Sequence, residues 1–248
     1  MDLILARLDP FEGDGGLMSL ILYGAPLSPF VRKVDVVLRE KGVEFENESV
    51  NIMPMPDWFK QISPVRRIPV LRDTSIAKEG MAGTIADSSA ICSFIERKHP
   101  EPALYPADPY ENGRAVWYEE WADTELAQAV GLGIFRPLMF PRFQGKDPDV
   151  ETAKKTWTDK LPRLFDYLEG ELASDLGDEG FLVGSALSIA DVAIACQLAQ
   201  LELVVGLPDA QRWPDTVAYV EAITNRVSFA PNLTICRKIV KEKIDLSV

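Results

Sequence analysis

Histidine and cysteine are scarce in this chain of 248 residues, which contains one histidine, His99, and three cysteines. A single histidine excludes histidine-based catalytic triads and histidine-rich metal sites. Cys92, Cys196 and Cys236 are odd in number and widely spaced, which matches neither a disulfide framework nor a zinc site. We therefore expect a protein of a reducing compartment that holds no metal.

Long apolar runs are also absent, since no stretch of about eighteen apolar residues occurs. The first residues, MDLILARLDPFEGDGG, carry acidic side chains where a secretory signal carries basic ones. Apolar residues nevertheless make up 47% of the chain, which is enough for one large domain or two small ones with buried cores. We expect a globular cytoplasmic protein without a membrane partner.

Too few basic residues are present in the second part of the chain to balance its acidic ones. The formal net charge of −12 is concentrated in residues 101–248, which contain 14 basic and 24 acidic side chains, whereas residues 19–100 contain 11 and 10. An acidic half without a basic stripe repels phosphate backbones, so we expect no nucleic acid partner. The nearly neutral first part is the better place for an anionic ligand.

The first hundred residues combine strand and helix patterns. Short apolar runs and alternation predict strands at residues 19–23, 43–50, 68–71 and 84–86, and helical periodicity predicts helices at residues 29–41, 57–62 and 88–98. Their order is βαβ, a helix, then ββα. This order predicts a mixed sheet covered by helices, an α/β arrangement.

Prolines cluster between residues 99 and 109, where they interrupt both helix and sheet. We expect a linker at residues 100–109 and a domain boundary within it. Beyond the linker, helical periodicity predicts helices at residues 110–132, 149–173, 188–204, 214–226 and 233–243. The second domain, residues 110–248, should be all-helical. Its best-specified helix start is a capping box formed by Ser188 and Asp191.

Three short motifs in the first domain combine residue types that suit a small-ligand site. Ser-Pro-Phe at residues 28–30 starts a helix after the first strand. Ile68-Pro69 interrupts a strand-like run, and Asp87-Ser88 starts another helix. Each motif alone has an ordinary structural explanation, because serine and aspartate are common N-caps and proline marks helix starts and strand edges. Their joint occurrence makes the pattern specific.

Together these motifs resemble the thioredoxin-like domain of cytosolic glutathione transferases. The Ser-Pro-Phe and Arg-Arg-Ile-Pro-Val-Leu segments are most similar to serine-type classes such as tau, phi and theta, of the bacterial kind. The SALSIADVAI segment resembles the helical domain of the same family. The resemblance implies a thioredoxin-like glutathione-binding domain at residues 18–99 and an N-terminal extension at residues 1–17. It also implies a symmetric homodimer that uses glutathione as co-substrate, with no metal or prosthetic group.

Ser28 is the catalytic residue that the resemblance implies. A free thiol with a pKa of about 8.5 is little ionised at neutral pH, and a hydrogen bond from the Ser28 hydroxyl, with the dipole of its helix, would favour the thiolate. Ser28 is thus expected to donate a hydrogen bond, not to act as a nucleophile. Tyr23 is the alternative hydroxyl, since other classes use a tyrosine at the end of the first strand, and strand packing explains it as well. Cysteine-type classes need a cysteine near position 28, and none is present.

The other glutathione contacts are also carried over from the resemblance. Arg67 would contact the glycyl carboxylate, and the main chain of Ile68 would pair with the cysteinyl unit beside a cis Pro69. Asp87 and Ser88 would bind the γ-glutamyl unit. Asp87 replaces the glutamate that is commoner in the family, and its reach is shorter by one methylene. For Arg67, a solvated surface charge is the alternative explanation.

The electrophile is expected between the two domains. Trp117, Trp121 and Phe135 are candidates for an apolar lining, although aromatic residues at helical spacing more often belong to a core. The leading hypothesis is conjugation of the glutathione thiolate to apolar electrophiles. Two alternatives stay open. One is glutathione-dependent ether cleavage, dehalogenation or isomerisation at the same site, and the other is a non-catalytic module that binds glutathione or another ligand.

Overall fold

The computed structural model describes residues 19–174 and 180–245. Residues 1–17, predicted as an extension, lie outside the described residues. The strands are β1 (Leu20–Gly24), β2 (Glu46–Ser49), β3 (Val70–Asp73) and β4 (Thr84–Ala86). The helices are α1 (Pro29–Glu40), α2 (Asp57–Ile62), α3 (Ser88–Lys98), α4 (Pro109–Trp121), α5 (Arg136–Phe143), α6 (Val150–Asp159), α7 (Leu161–Leu172), α8 (Ile189–Val205), α9 (Pro214–Thr224) and α10 (Ala230–Asp245). A π-helical segment, Ala122–Phe135, joins α4 to α5.

The four strands form one mixed sheet in the order β2-β1-β3-β4. β1 pairs parallel with β2 and antiparallel with β3, and β3 pairs antiparallel with β4. This confirms the predicted thioredoxin-like α/β unit, and the described residues after it form helices, as predicted. The strand predicted at residues 43–50 is shorter, because β2 is an edge strand whose four residues are all exposed.

Helix α1 is the central element between the sheet and the helical part, which consists of the elements from α4 to α10. Ser28 caps its start, and a proline occupies its first turn. Residues 31–38 are all buried, including the charged Arg32, Lys33 and Asp35, because α1 packs against β1, α3 and α8. Buried charges require partners. Those of Arg32 and Lys33 come mainly from the helical part, as described below, whereas Asp35 contacts Arg39 and Asn47.

The helix predicted to end at residue 132 continues through the π-helical segment and α5 to Phe143. Glycine lowers helix propensity and obscures this continuation in the sequence. At Gly133 the glycine serves close packing, since a Cβ there would lie 2.5 Å from Cγ2 of Thr156 on α6. Tertiary packing therefore extends a helix beyond the point where its local preference ends.

The helix predicted at residues 149–173 is two helices, α6 and α7, separated at Lys160. Pro162 explains the break, because proline cannot donate the backbone hydrogen bond of a continuous helix. The capping box predicted at the start of α8 is confirmed, since Oδ2 of Asp191 accepts from the Ser188 N–H at 2.8 Å and the Ser188 hydroxyl oxygen accepts from the Asp191 N–H. Within residues 19–174 and 180–245, none of the helices has the length and apolarity needed to span a bilayer.

Candidate functional site

One row of residues across the sheet brings the ends of three strands together. Tyr23 of β1 is paired with Val70 of β3, and Val70 is paired with Ala86 of β4. Because β3 runs antiparallel to both neighbours, the end of β1, the start of β3 and the end of β4 lie at the same edge of the sheet. The three motifs identified in the sequence flank these strand ends, so the fold brings them to one edge.

Ser28 reaches this edge through a tight turn after β1. The Ser28 N–H donates to the Ala25 carbonyl at 2.9 Å and closes a four-residue turn with Pro26 in its second position, which proline favours. Gly24 permits the close approach of α1, since a Cβ there would lie 2.4 Å from Cγ2 of Val31. The connection therefore holds Ser28 near the end of the strand.

The half-buried hydroxyl of Ser28 caps α1 and keeps its proton available. The oxygen accepts a hydrogen bond from the Val31 N–H at 3.4 Å. In the part of the chain that the structure describes, the hydroxyl proton has no acceptor. A free donor at a helix N-terminus suits an anionic ligand atom, because the helix dipole and the unpaired N–H groups favour negative charge.

The Ile68–Pro69 peptide bond is cis, as the family resemblance implied. In the turn before it, the buried Ser63 hydroxyl donates to the Arg67 carbonyl at 2.7 Å and accepts from the Arg67 N–H at 3.0 Å. The paired residues of β3 begin at Val70, so the main chain of Ile68 lies just outside the ladder. This segment can pair with an extended ligand. The Arg67 side chain is exposed, which is compatible with both explanations given above for it.

Asp87 caps α3 in a backbone conformation that is rare for residues other than glycine. Its φ angle is 110°. The Oδ1 atom accepts hydrogen bonds from the N–H groups of Ser89 at 3.0 Å and Ala90 at 3.2 Å. Such conformations persist where the surroundings determine them and are concentrated at ligand sites. Asp87 is exposed and Ser88 is buried, so a carboxylate at a helix N-terminus faces outward at this edge.

Tyr23, the alternative hydroxyl, is buried on the face of the sheet that packs against α2. Its ring lies edge-on to Trp58 and Phe59, with centroid distances of 5.6 Å and 6.5 Å. Val50, Ile62 and Val70 are the other buried members of this small core. The packing explanation of Tyr23 therefore has direct structural support.

A buried lysine beside the start of α3 was missed in the sequence. The Lys33 ammonium contacts the Ser89 hydroxyl at 3.1 Å, the Glu119 carboxylate at 2.8 Å and the Asp123 carboxylate at 2.5 Å. Burial alone would lower the pKa of Lys33, but Asp123 and Glu119 outweigh it and raise that pKa above its ordinary value. A lysine five residues after Ser28 carries no local signal of burial, because its partners come from α3, α4 and the π-helical segment.

The aromatic residues proposed as an electrophile pocket lie in two separate ring clusters. Trp121 stacks edge-on to Tyr167 of α7 at 5.0 Å, and Trp117 donates from its indole to the Tyr167 hydroxyl at 3.1 Å. Phe135 packs against Phe140 at 6.3 Å. The structure does not bring the three together, and their role as a pocket stays a prediction.

A wide groove of about 1060 Å³ lies at the opposite end of α1. Its lining includes Arg39, Glu40, Phe45 and Arg226. It contains none of the three motifs, so we place the candidate site at the sheet edge, where they converge. Across the described residues, no group of three histidine, cysteine, aspartate or glutamate side chains could hold a metal ion.

Comparisons with known proteins match both parts of the fold. A family model for the N-terminal domain of glutathione S-transferase matches residues 22–103, and one for the C-terminal domain matches residues 128–226. The chain is 32% identical over 215 residues to the uncharacterized GST-like protein YibF of Escherichia coli (strain K12), covering 84% of this chain and 96% of that protein. It is 27% identical over 221 residues to glutathione S-transferase theta-1 of Bos taurus, covering 86% of each. The crystal structure of a glutathione S-transferase from Rhodospirillum rubrum F11 matches with a TM-score of 0.75 at 25% identity, over 87% of this chain and 92% of that chain.

Proposed function

This chain belongs to the glutathione S-transferase family, and from that premise we propose that it conjugates glutathione to apolar electrophiles, with Ser28 donating a hydrogen bond to the thiolate. One observation carries the proposal. Ser28, the cis Ile68–Pro69 bond and the strained Asp87 converge at one edge of the sheet through the pairing of β1, β3 and β4.

The first step of the proposed reaction is ionisation of the thiol. A thiol with a pKa of about 8.5 is ionised only to a few per cent at neutral pH, and each unit by which the pKa falls corresponds to about 1.4 kcal/mol. The Ser28 proton and the N-terminus of α1 favour the charged form. The site offers no histidine to take the thiol proton, so the proton passes to solvent. The thiolate then forms the carbon–sulfur bond, and the leaving group departs with its electron pair.

The remaining contacts orient the tripeptide along the same edge. We assign the cysteinyl unit to the main chain of Ile68 next to Pro69, and the γ-glutamyl unit to Asp87 and Ser88 at the N-terminus of α3. Arg67, exposed beside them, is assigned to the glycyl carboxylate. The exposed carboxylate of Asp87 supports this assignment, since it offers a negative charge to the γ-glutamyl ammonium.

The variant Ser28→Ala tests the catalytic assignment. We expect kcat with an aryl halide to fall about 100-fold, in the range known for removal of one donor to a developing or stabilised anion, with KM for glutathione changed less than about threefold. Ser93→Ala, an exposed serine on α3, is the matched control and should leave both constants unchanged. Tyr23→Phe should also retain turnover. Unchanged turnover in Ser28→Ala would reject the role of Ser28.

Product analysis distinguishes conjugation from the alternative reactions. Conjugation consumes one glutathione per electrophile, ether cleavage releases a phenol, and isomerisation consumes no glutathione. Retention on immobilised glutathione without turnover of any electrophile would support a binding module instead of an enzyme.

We further propose that the protein is a cytoplasmic homodimer. Large apolar side chains on the surface support association, among them Trp58, Tyr110 and Trp117, which are 44%, 68% and 54% exposed. Light scattering should give twice the chain mass at micromolar concentration. A monomer under those conditions, or recovery of the protein outside the cytoplasmic fraction, would contradict this proposal.

A further inference from the structure

Helix α10 contacts the turn that connects β1 to Ser28. The Asn232 side chain donates from Nδ2 to the Pro26 carbonyl at 3.1 Å, and the Cys236 thiol donates to the same oxygen at 3.2 Å. Pro26 occupies the second position of the turn that ends at Ser28. A carbonyl two residues before Ser28 is thus held by two donors of the helical part, one of them 206 residues away in the sequence.

The same amide also contacts the first turn of α1. Nε of Arg32 donates to Oδ1 of Asn232 at 2.7 Å, and the Arg32 N–H donates to the Ser28 carbonyl at 3.0 Å. One side chain therefore holds the backbone before Ser28 and the residue one helical turn after it. Both ends of the amide are used with opposite polarity, so only one orientation of Asn232 satisfies them.

Arg32 is fully buried, and among the described residues its hydrogen-bond partners include no carboxylate. Nη1 donates to the Cys196 carbonyl at 2.9 Å. Nη2 donates to the side-chain oxygen of Gln200 at 3.4 Å and to the sulfur of Cys236 at 3.5 Å. Asp35, one turn further along α1, pairs with Arg39 instead. A buried charge with neutral partners costs more than an apolar side chain of similar volume, so stability alone does not explain this contact.

We propose that Asn232 is a positioning residue for Ser28. From α10 it fixes the turn at Pro26 and, through Arg32, the first turn of α1, and it thereby sets where the Ser28 hydroxyl lies. This inference rests on the proposed function. A hydrogen bond weakens steeply with distance and angle, so a looser turn should impair stabilisation of the thiolate. The proposed glutathione contacts before β3 and at the start of α3 are untouched.

Two variants of Asn232 separate geometry from charge. Asn232→Asp keeps an acceptor for Arg32 but puts an oxygen where Pro26 needs a donor, and Asn232→Ala is neutral and removes both contacts. Thr234→Ala is the matched control on α10, since Thr234 is exposed and its hydroxyl donates only to the Ala230 carbonyl at 2.8 Å. Both Asn232 variants should lower kcat on an aryl halide about tenfold or more and raise the apparent pKa of the bound thiol. KM for glutathione should stay within about threefold, and the control should match the wild type.

Two kinetic outcomes overturn the proposal. If kcat and the thiol pKa are unchanged in both variants, Asn232 does not position Ser28. If only Asn232→Asp shifts the thiol pKa, the added negative charge and not the lost contact is responsible.

Amide hydrogen exchange tests the anchoring without glutathione or turnover. In Asn232→Ala, faster exchange confined to residues 25–32, with α8 unchanged, supports the proposal. Faster exchange throughout α8 indicates a general loss of stability and overturns it. A wild-type protein that turns over no electrophile contradicts the proposed function itself, and the exchange measurement then decides on its own whether α10 holds the turn.

Discussion

The buried Lys33 and the half-buried Asp123 form an ion pair of 2.5 Å between the helix that Ser28 caps and the π-helical segment. Glu119 of α4 is a second carboxylate partner of Lys33 at 2.8 Å, and Ser89 at the start of α3 donates to Asp123 at 3.3 Å. The helix of the proposed thiolate site and the helix of the proposed γ-glutamyl site are therefore fixed to each other and to the helical part by one polar cluster.

Replacing Lys33 by methionine should lower the free energy of unfolding by about 3–5 kcal/mol, because the buried Glu119 and the half-buried Asp123 lose their cation. Urea unfolding at pH 7 measures the change. Lys60→Met is the matched control, since Lys60 pairs at 2.7 Å with the exposed Asp57, and it should cost less than about 1 kcal/mol. Similar small losses in both variants would show that Lys33 does not hold the cluster.

Glu40, at the end of α1, should make stability depend on pH. Burial would raise the pKa of Glu40, but hydrogen bonds from Arg226 and Ser228, at 2.8 Å and 2.5 Å, outweigh it and hold that pKa below 4.5. The charged form is thus favoured by folding. Its contribution is complete above the unfolded pKa and is lost as the pH falls through the lower folded pKa.

Glu40→Gln should therefore lower the free energy of unfolding by about 1 kcal/mol at pH 7, a value reduced for partial exposure. The difference from wild type should shrink as the pH falls below the ordinary glutamate pKa and vanish below the lowered folded pKa of Glu40. Urea unfolding at several pH values measures the free energy of unfolding of both proteins and shows the pH at which their difference disappears. Glu44→Gln, an exposed glutamate just beyond the helix, is the control and should show no difference at either pH. If the difference in free energy of unfolding between Glu40→Gln and wild type persists in acid, the substitution removes packing and not the carboxylate charge.

Asp87→Asn separates the capping role of Asp87 from its proposed ligand role. Asparagine caps helices about as well as aspartate, so stability should change by less than about 0.5 kcal/mol. Loss of the carboxylate should weaken glutathione binding about tenfold, because a charge-assisted contact to the ammonium is lost. Asp149→Asn, at the exposed cap of α6, should leave binding unchanged. Calorimetric titration with glutathione that shows equal affinity for Asp87→Asn and wild type would contradict the assignment.

Asp191→Ala should destabilise the helical part more than loss of an ordinary cap. Besides the capping box with Ser188, Oδ1 of Asp191 accepts from the Leu182 N–H at 3.0 Å and the Tyr219 hydroxyl at 2.9 Å, all buried. Leaving these donors unpaired should cost about 3–5 kcal/mol. Asp149→Ala, which removes an exposed cap, should cost clearly less. Thermal unfolding measures the loss of stability in both variants. Equal losses would show that Asp191 acts only as a helix cap.

The correct predictions concern features whose causes lie within a few residues. The helix starts at Ser28, Asp87 and Ser188 could be read from the sequence because a cap and its N–H partners are neighbours in the chain. One error arose where packing overrides local preference, at Gly133, where contact with α6 continues a helix through a poor helix former. The other, the unbroken helix predicted at residues 149–173, overlooked a local signal, Pro162.

The sequence by itself determined the order of strands and helices in the first domain, the caps, and the three motifs with their family resemblance. Only the tertiary structure decided that these motifs share one edge, because the pairing of Tyr23 with Val70, and of Val70 with Ala86, is a long-range choice of register. It also decided that Lys33 is buried and that Asn232 holds Pro26. Such contacts join residues far apart in the chain, and no local pattern records them, because burial and hydrogen-bond partners exist only once the chain is folded.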